Sequence, residues 1–225
     1  MKEKTLVIGA NSSLGKNLIK VIGKKNEIFK TFSMKRKLKQ KEFNLNLNNE
    51  NSILNFVRDI NKIKFKYLIF CPGKIFGKSV DMYNFNEIDA VNNINYLGIT
   101  KLINKIINKN LKTKCVVIFV SSISGRRGSF DHYYAGAKAG LISFAKSLSK
   151  YHAKKIRINI VAPSLIKKTK MYFLNSKKNI NKIKNETPNK HILTSNELAM
   201  IIKDIMQSHW DHTNGSIIDV NGGVY

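Results

Sequence analysis

The sequence has only two cysteines in 225 residues, Cys71 and Cys115, both inside apolar, strand-like runs. That is too few for a disulfide framework, and the expected setting is a reducing cytoplasm. No apolar run comes near the roughly 20 residues that a membrane helix needs, so no membrane association is expected. The opening MKEKTLVIGANSSLG holds no long apolar region and no small-residue cleavage site, so no secretory signal is read. Arginine is scarce, occurring at Arg36, Arg58, Arg126, Arg127 and Arg157 only. His132, His152, His191, His209 and His212 show no metal-ligand spacing with cysteines or carboxylates, and no metal site is expected. There is no internal repeat and no clear linker.

What is present is globular. Apolar residues make up 43% of the chain and aromatics 9%, which argues against disorder. The length suits one domain, and a chain of this size buries roughly 70% of its unfolded surface. There are 40 Lys and Arg against 14 Asp and Glu, a formal charge of +26. That invites a nucleic-acid reading. Against it, Lys, Asn and Ile together supply 92 of the 225 residues, and all three have A/T-rich codons. The lysines are spread along the whole chain, and arginine, the better reader of bases and phosphates, is the scarce one. Compositional bias accounts for the charge, and no nucleic-acid partner is expected.

Strand-like and helix-like stretches alternate. Strands are expected at Lys4–Ile8, Glu27–Ser33, Glu42–Leu47, Lys66–Cys71, Lys114–Ser121, Lys155–Val161 and Ser216–Val220. Helical spacing of apolar residues marks Ser13–Lys24, Asn51–Asn61, Phe85–Asn108 with an interruption near Asn92–Asn95, His132–His152 and Ser195–Gln207. This alternation predicts an α/β fold: a single doubly wound parallel sheet of about seven strands with helices on both faces, spanning residues 1–225. Phe173–Lys190 is polar and rich in Lys and Asn, and is read as a mobile excursion from the domain.

Two sites carry chemistry. The loop Gly9-Ala-Asn-Ser-Ser-Leu-Gly15 joins the first strand to the first helix. A tight glycine turn there lets the backbone approach a phosphate, and the helix N-terminus offers unpaired N–H groups. Gly9 and Gly15 suit the turn, and Ser13 is the expected helix cap. The second is Tyr134-Ala-Gly-Ala-Lys138, which puts a phenol and an ammonium on one helix face. An ammonium beside a phenol lowers its pKa, which would make Tyr134 a general acid/base near neutrality. Ser121-Ser122 ends a strand upstream and could present a hydroxyl to the same substrate oxygen.

These motifs resemble those of the short-chain dehydrogenase/reductase family, from the first strand to the last. GANSSLG resembles the family's cofactor loop, and Asn95-Tyr-Leu-Gly98 its N-x-x-G helix motif. VSSISG (120–125), YAGAK (134–138), IRINIVAPS (156–164) and NGSIIDVNGG (214–223) follow in family order. The stretch YAGAKAGLISFAKSLS is most similar to 3-oxoacyl-(acyl-carrier-protein) reductases. The resemblance implies a Rossmann-type fold and an NADP(H)-dependent reduction of a carbonyl to a hydroxyl. It gives Tyr134 the role of proton donor, with Lys138 on the nicotinamide ribose, Ser122 on the carbonyl, and Asn95 on a proton-relay water. It places the cofactor on Gly9, Asn11, Ser12, Ser13, Leu14, Gly15, Asn46, Leu47, Gly73, Asn95, Tyr134, Lys138, Pro163, Ser164 and Ile166. Residues 165–190 would form a mobile lid, and the subunits would pair as a homodimer or homotetramer on the Tyr134-bearing helix.

The sequence departs from the family pattern at several positions. Ile8 and Ser13 stand where Thr and Gly are usual, Phe70-Cys71-Pro72-Gly73 replaces N-N-A-G, and Ser164 replaces a glycine. Ser122 and Tyr134 lie 12 residues apart rather than 13, so either the loop is one residue shorter or Ser121 takes part; Ser122 keeps the S-x-x-G spacing to Gly125. Family members that bind NAD carry an acid at the end of the second strand. Here residues 31–37 have none, and Ser33, Lys35 and Arg36 could hold a 2′-phosphate, which favours NADP(H) over NAD(H). The resemblance implies a small-molecule or carrier-bound carbonyl substrate, 3-oxoacyl thioesters first. The alternatives are a sugar or other small alcohol or ketone, and a dinucleotide-binding protein without turnover.

Overall fold

Alternation along each strand decides the layers. The computed structural model describes residues 2–34 and 36–224. Seven strands form one sheet: β1 (Glu3–Ile8), β2 (Asn26–Phe32), β3 (Glu42–Asn44), β4 (Phe65–Phe70), β5 (Leu111–Val120), β6 (Ile156–Pro163) and β7 (Ile217–Val220). Their order is β3-β2-β1-β4-β5-β6-β7 and every pairing is parallel. Leu6, Ile8, Leu68, Phe70, Val117 and Phe119 face one side, packed on α2 (Glu50–Asp59), α4 (Gly98–Ile106) and α6 (His132–Tyr151). Val7, Ile69, Val116, Ile118 and Val120 face the other, against α1 (Ser13–Ile22) and α9 (Ser195–Ile205). The middle strands are apolar on both faces because helices cover both.

The strand order reverses between β1 and β4. In a doubly wound sheet that leaves a crevice at the carboxyl ends of these strands, where ligands bind. The loops after β1, β4 and β5 converge there.

Three local departures from the sequence reading have physical causes. The third strand stops at Asn44 rather than Leu47. The Asn46 carboxamide accepts from the Asn48 N–H at 3.0 Å, and Asn49 caps α2, so side chains take over the backbone pairing. The interrupted helix resolves into α3 (Phe85–Asn92), a π-helical turn at Asn93–Leu97, and α4. Such turns are rare and gather at functional sites. The stretch Phe173–Lys190, expected to be a mobile polar excursion, carries the end of α7 (Lys170–Phe173) and all of α8 (Lys177–Glu186), capped by Thr169 and Ser176. Neither helix buries a side chain fully, and α8 has only Ile180 and Ile183 as apolar residues, too few to announce a helix in so polar a stretch. A short α5 (Ser124–Arg127) was not anticipated at all.

Among the described residues no helix is long and apolar enough to cross a membrane, and no cluster of His, Cys, Asp or Glu could hold a metal.

Candidate active site

The loop after β1 is shaped by two glycines. Gly9 adopts φ +82°, a region that side chains other than glycine rarely enter. Gly15 packs α1 onto the turn: a Cβ there would stand 2.4 Å from the Gly9 carbonyl oxygen. The helix cap is Ser12, not Ser13. The Ser12 hydroxyl accepts from the Gly15 N–H at 2.9 Å and donates to the Gly9 carbonyl at 2.8 Å. Ser13 sits one residue inside the helix and its hydroxyl meets that of Ser195 at 2.8 Å, tying the N-termini of α1 and α9 together. The N–H groups of Ser13 and Leu14 have no intrahelical carbonyl to bond, which leaves donors for an anion. The turn is braced from β2: the Gly9 N–H donates to the buried Thr31 hydroxyl at 3.2 Å, and the Ala10 N–H to the Thr31 carbonyl. Asn11 is exposed at the turn's crest.

At the end of β2, Ser33 is exposed. Lys35 lies outside the described residues. Arg36 lays its guanidinium over the Phe32 ring, 4.2 Å from the centroid, and meets Glu42 at 3.5 Å. An acid therefore does stand near this corner. It comes from β3, whose register places Glu42 beside Lys30. Its carboxylate is already engaged by Lys30 at 3.5 Å, by Arg36 and by the Lys39 N–H. Burial pushes its pKa up, and the Lys39 N–H and the charges of Arg36 and Lys30 outweigh that and hold it below the usual range. Asn46 is exposed, and its side-chain oxygen is spent on the Asn48 N–H. Leu47 is buried, and its carbonyl passes so close to Gly98 that a Cβ there would be 2.2 Å away. That approach explains the glycine of the N-x-x-G motif. Pro163, Ser164 and Ile166 line the exit of β6, with Ser164 donating its N–H to the Val220 carbonyl and Pro163 accepting from the Ile123 N–H.

The structure brings Asn95, Ser122, Tyr134 and Lys138 together, and all four are buried. The first turns of α6 place Tyr134 and Lys138 on its inward face; the ammonium lies 5.9 Å from the Tyr134 ring centroid. The Ser122 hydroxyl lies beside the Tyr134 side chain and favours its charged form, whereas the Ser121 hydroxyl is committed to the Lys138 carbonyl at 2.9 Å. Lys138 donates to the carbonyls of Pro72 and Val120, at 3.0 and 2.9 Å. Its burial lowers its pKa to about 8. Asn95, held in the π turn, clamps the loop after β4: it donates to the Lys74 and Val91 carbonyls and accepts from the Lys74 N–H. Gly73 lies beside it.

One electrostatic expectation is overturned. Tyr134 is pushed up to about 12 rather than down. Burial is the main cause; the bond from Ser122 lowers it and the charge of Asp131 raises it further. The Lys138 ammonium is turned toward backbone carbonyls and does not offset this. Tyr134 is thus a protonated phenol throughout the neutral range.

Residues that sequence reading missed stand around this set. Asp131 caps α6 and is buried. Tyr83 and Phe76 from the loop after β4 stack edge-on, and Tyr83 does the same with Tyr133. Only Asp131 carried a usable signal, an acid just before an apolar-periodic helix. A groove of about 550 Å³ between α2, α4 and α6 holds none of the candidate residues.

The enoyl-(acyl carrier protein) reductase family matches residues 26–225. The 3-oxoacyl-[acyl-carrier-protein] reductase FabG of Buchnera aphidicola (subsp. Schizaphis graminum) is 30% identical over all of this chain and 98% of its own. Two solved structures share the fold at 20% identity. A short-chain dehydrogenase family protein from Francisella tularensis has TM-score 0.89, with 99% of this chain and 98% of its own covered. A short-chain dehydrogenase/reductase titled glucose/ribitol dehydrogenase, from Brucella melitensis, has TM-score 0.90, with 100% and 99% covered. The parallel sheet, the glycine turn at its switch point and the buried Ser–Tyr–Lys group agree with these matches: the chain belongs to the short-chain dehydrogenase/reductase family, oxidoreductases that act on the carbonyl/CH–OH couple with a nicotinamide dinucleotide.

Proposed function

We propose that this protein reduces 3-oxoacyl thioesters to 3-hydroxyacyl thioesters with NADPH. The observation that carries the reading is the buried Ser122–Tyr134 pair, with the phenol protonated at neutral pH. The cradle fits a dinucleotide: the Gly9 turn and the Gly15 contact leave no room for side chains where a pyrophosphate would approach the α1 N-terminus. Gly9, Ser12, Ser13, Leu14 and Gly15 would hold the pyrophosphate, Leu47 and Gly73 the adenine side, and Lys138 the nicotinamide ribose. Arg36, already oriented by Glu42 and Phe32, would take a 2′-phosphate, and Glu42 is too occupied to hold a ribose diol instead. Bound NADPH supplies a hydride.

The chain's own groups do the rest. Ser122 and Tyr134 hydroxyls converge, so one substrate oxygen can accept from both. Tyr134 gives its proton to that oxygen as negative charge develops there. Lys138 then holds a positive charge beside the phenolate. Asn95 keeps the Lys74 loop, and through it the Pro72 carbonyl that orients Lys138, in place. Residues 165–190 act as a lid, with Leu174 resting against Gly77. A homodimer or homotetramer would form on α6.

The test is NADPH oxidation by the purified protein with a 3-oxoacyl thioester, a trans-2-enoyl thioester and a ketose in parallel. Turnover of the 3-oxoacyl thioester is expected. Turnover of the enoyl thioester alone would move the chemistry to alkene reduction, and binding of NADPH without any turnover would make the chain a dinucleotide-binding protein.

A further inference from the structure

We propose that Asp131 is a positioning residue that latches the loop of residues 73–83 onto the first turn of the catalytic helix and so fixes the Tyr134 hydroxyl against the substrate. The inference rests on the reductase reading above.

Among the described residues seven helices carry side-chain N-caps. Six use neutral groups: Ser12, Asn49, Asn84, Thr169, Ser176 and Thr194. The α6 cap alone is a carboxylate, and it is buried at 2% exposure. Capping by itself does not call for a charge, since Ser, Thr and Asn cap as well as Asp. Burying a carboxylate costs more than burying any of these unless its oxygens are hydrogen-bonded.

The second oxygen accounts for the choice. Oδ1 accepts from the Tyr134 N–H at 3.0 Å, the ordinary capping bond. Oδ2 accepts from the Gly77 N–H at 3.0 Å and from the Tyr83 hydroxyl. Both of those donors lie on the other segment, about fifty residues away in sequence. Two donors on one oxygen, opposite a third on the other, suit an ionised carboxylate and no neutral cap. The positive end of α6 adds to this.

The latch completes a pin already begun at the other end of the loop. Asn95 grips Lys74, and Lys138 grips the Pro72 carbonyl. Asp131 holds Gly77 and Tyr83. Between the pins stand Ile75 and Phe76, and Phe76 rests on Tyr83, which rests on Tyr133. Leu174 of the lid lies against Gly77. The loop is thus a wall between lid and catalytic tyrosine, and Asp131 sets its distance from Tyr134.

The charge has a second consequence. Tyr134 is faced by Ser122 from the loop after β5, and by Lys138 and Asp131 from its own helix. Cys71 lies beside Lys138. On the loop side, Tyr83 faces Asp131, and the Lys78 ammonium beyond it is paired with Glu87 at 2.7 Å. Burial is what chiefly keeps the phenol protonated, and Asp131 is the carboxylate that adds to it.

The test uses the full chain carrying Asp131→Asn or Tyr83→Phe, with NADPH and a 3-oxoacyl thioester. Asparagine keeps the Oδ1 cap but turns an NH2 toward the Gly77 N–H, which cannot accept. Asp131→Asn is expected to leave NADPH affinity within twofold. It should raise substrate KM about tenfold and lower the pH at which the Tyr134 tyrosinate absorbance appears. Tyr83→Phe should raise KM by a smaller factor and leave that tyrosinate onset in place, and the double variant should be no worse than Asp131→Asn alone. Amide exchange over residues 73–83 should quicken in both, which reads the latch whatever the substrate. A folded Asp131→Asn protein with unchanged KM, unchanged tyrosinate onset and unchanged exchange would overturn the proposal and leave Asp131 as a helix cap. Should Asp131→Asn not fold, Tyr83→Phe decides: unchanged KM and exchange overturn it. A wild-type protein without thioester turnover would instead count against the reductase reading, with the exchange result still judging the latch.

Discussion

Replacing Gly15 with alanine sets two effects of known size against each other. Alanine favours a helix over glycine by about 1 kcal/mol, so on propensity alone Gly15→Ala would stabilise α1. The packing says otherwise. The new Cβ would stand 2.4 Å from the Gly9 carbonyl oxygen and 2.8 Å from the Ala10 Cα, both backbone atoms that cannot swing aside. Restoring an ordinary contact requires the turn and the helix to part by about 1 Å. Overpacking of this kind costs about 1–3 kcal/mol, so the net loss of stability is up to about 2 kcal/mol. The larger effect falls on the cofactor. A 1 Å shift pulls the first-turn N–H groups off an anion, and one such charge-assisted bond is worth about 1.5–3 kcal/mol, or roughly tenfold to a hundredfold in affinity. Gly136→Ala is the control, because that glycine is exposed on α6 and a Cβ there meets nothing within 4 Å. It should gain the full propensity term and raise Tm by about 2–4 °C. Thermal unfolding and calorimetric titration with NADPH measure both variants. A folded Gly15→Ala protein that binds NADPH as the wild type does would refute the argument that this contact shapes the cofactor cradle.

Other outcomes follow from the same geometry. Tyr134→Phe should abolish turnover and leave NADPH affinity nearly unchanged; substantial residual activity would remove Tyr134 from the role of acid. Because burial holds Tyr134 at about 12, its tyrosinate absorbance should be absent at pH 10.5 in the folded protein and appear on unfolding. Arg36→Ala should weaken NADPH about tenfold to a hundredfold and NADH hardly at all, and equal losses in paired titrations would mean that Arg36 does not read a 2′-phosphate. Glu197→Ala removes half of the capping box of α9 and should cost about 1 kcal/mol at neutral pH. The Thr194 hydroxyl, then His191 and the Thr194 N–H, hold Glu197 down to about 2, against 4.5 unperturbed. A depressed carboxylate stabilises above its unfolded pKa, so the gap between variant and wild type should close as the pH falls from about 4.5 toward 2 in chemical denaturation. Its partial exposure keeps this effect near the lower end.

The sheet was legible because every central strand carries an unbroken apolar run and every covering helix an apolar stripe. Those patterns are local, and they placed six strands to within a few residues. Glu42–Leu47 was overread because its alternation of Phe43, Leu45 and Leu47 continues past the point where Asn46 and Asn49 bind the backbone. The helices at 170–186 were missed for the converse reason: they rest on caps and bury no side chain fully, and α8 offers only Ile180 and Ile183 as an apolar signal. The glycine loop and the Tyr134–Lys138 spacing could be read because a turn or one helix face fixes them within seven residues.

What the sequence determined by itself is therefore the order and type of the main elements, and the residues that local geometry brings onto one turn or one face. The tertiary structure decided everything that depends on neighbours distant in the chain. It tied Ser13 to Ser195, brought Glu42 to Arg36, and spent Ser121 on a carbonyl while leaving Ser122 beside Tyr134. It joined Asp131 to Gly77 and Tyr83 across the crevice. It also reversed the expected shift of Tyr134, since desolvation is a property of the assembled core and the lysine one helical turn away is turned to the Pro72 and Val120 carbonyls.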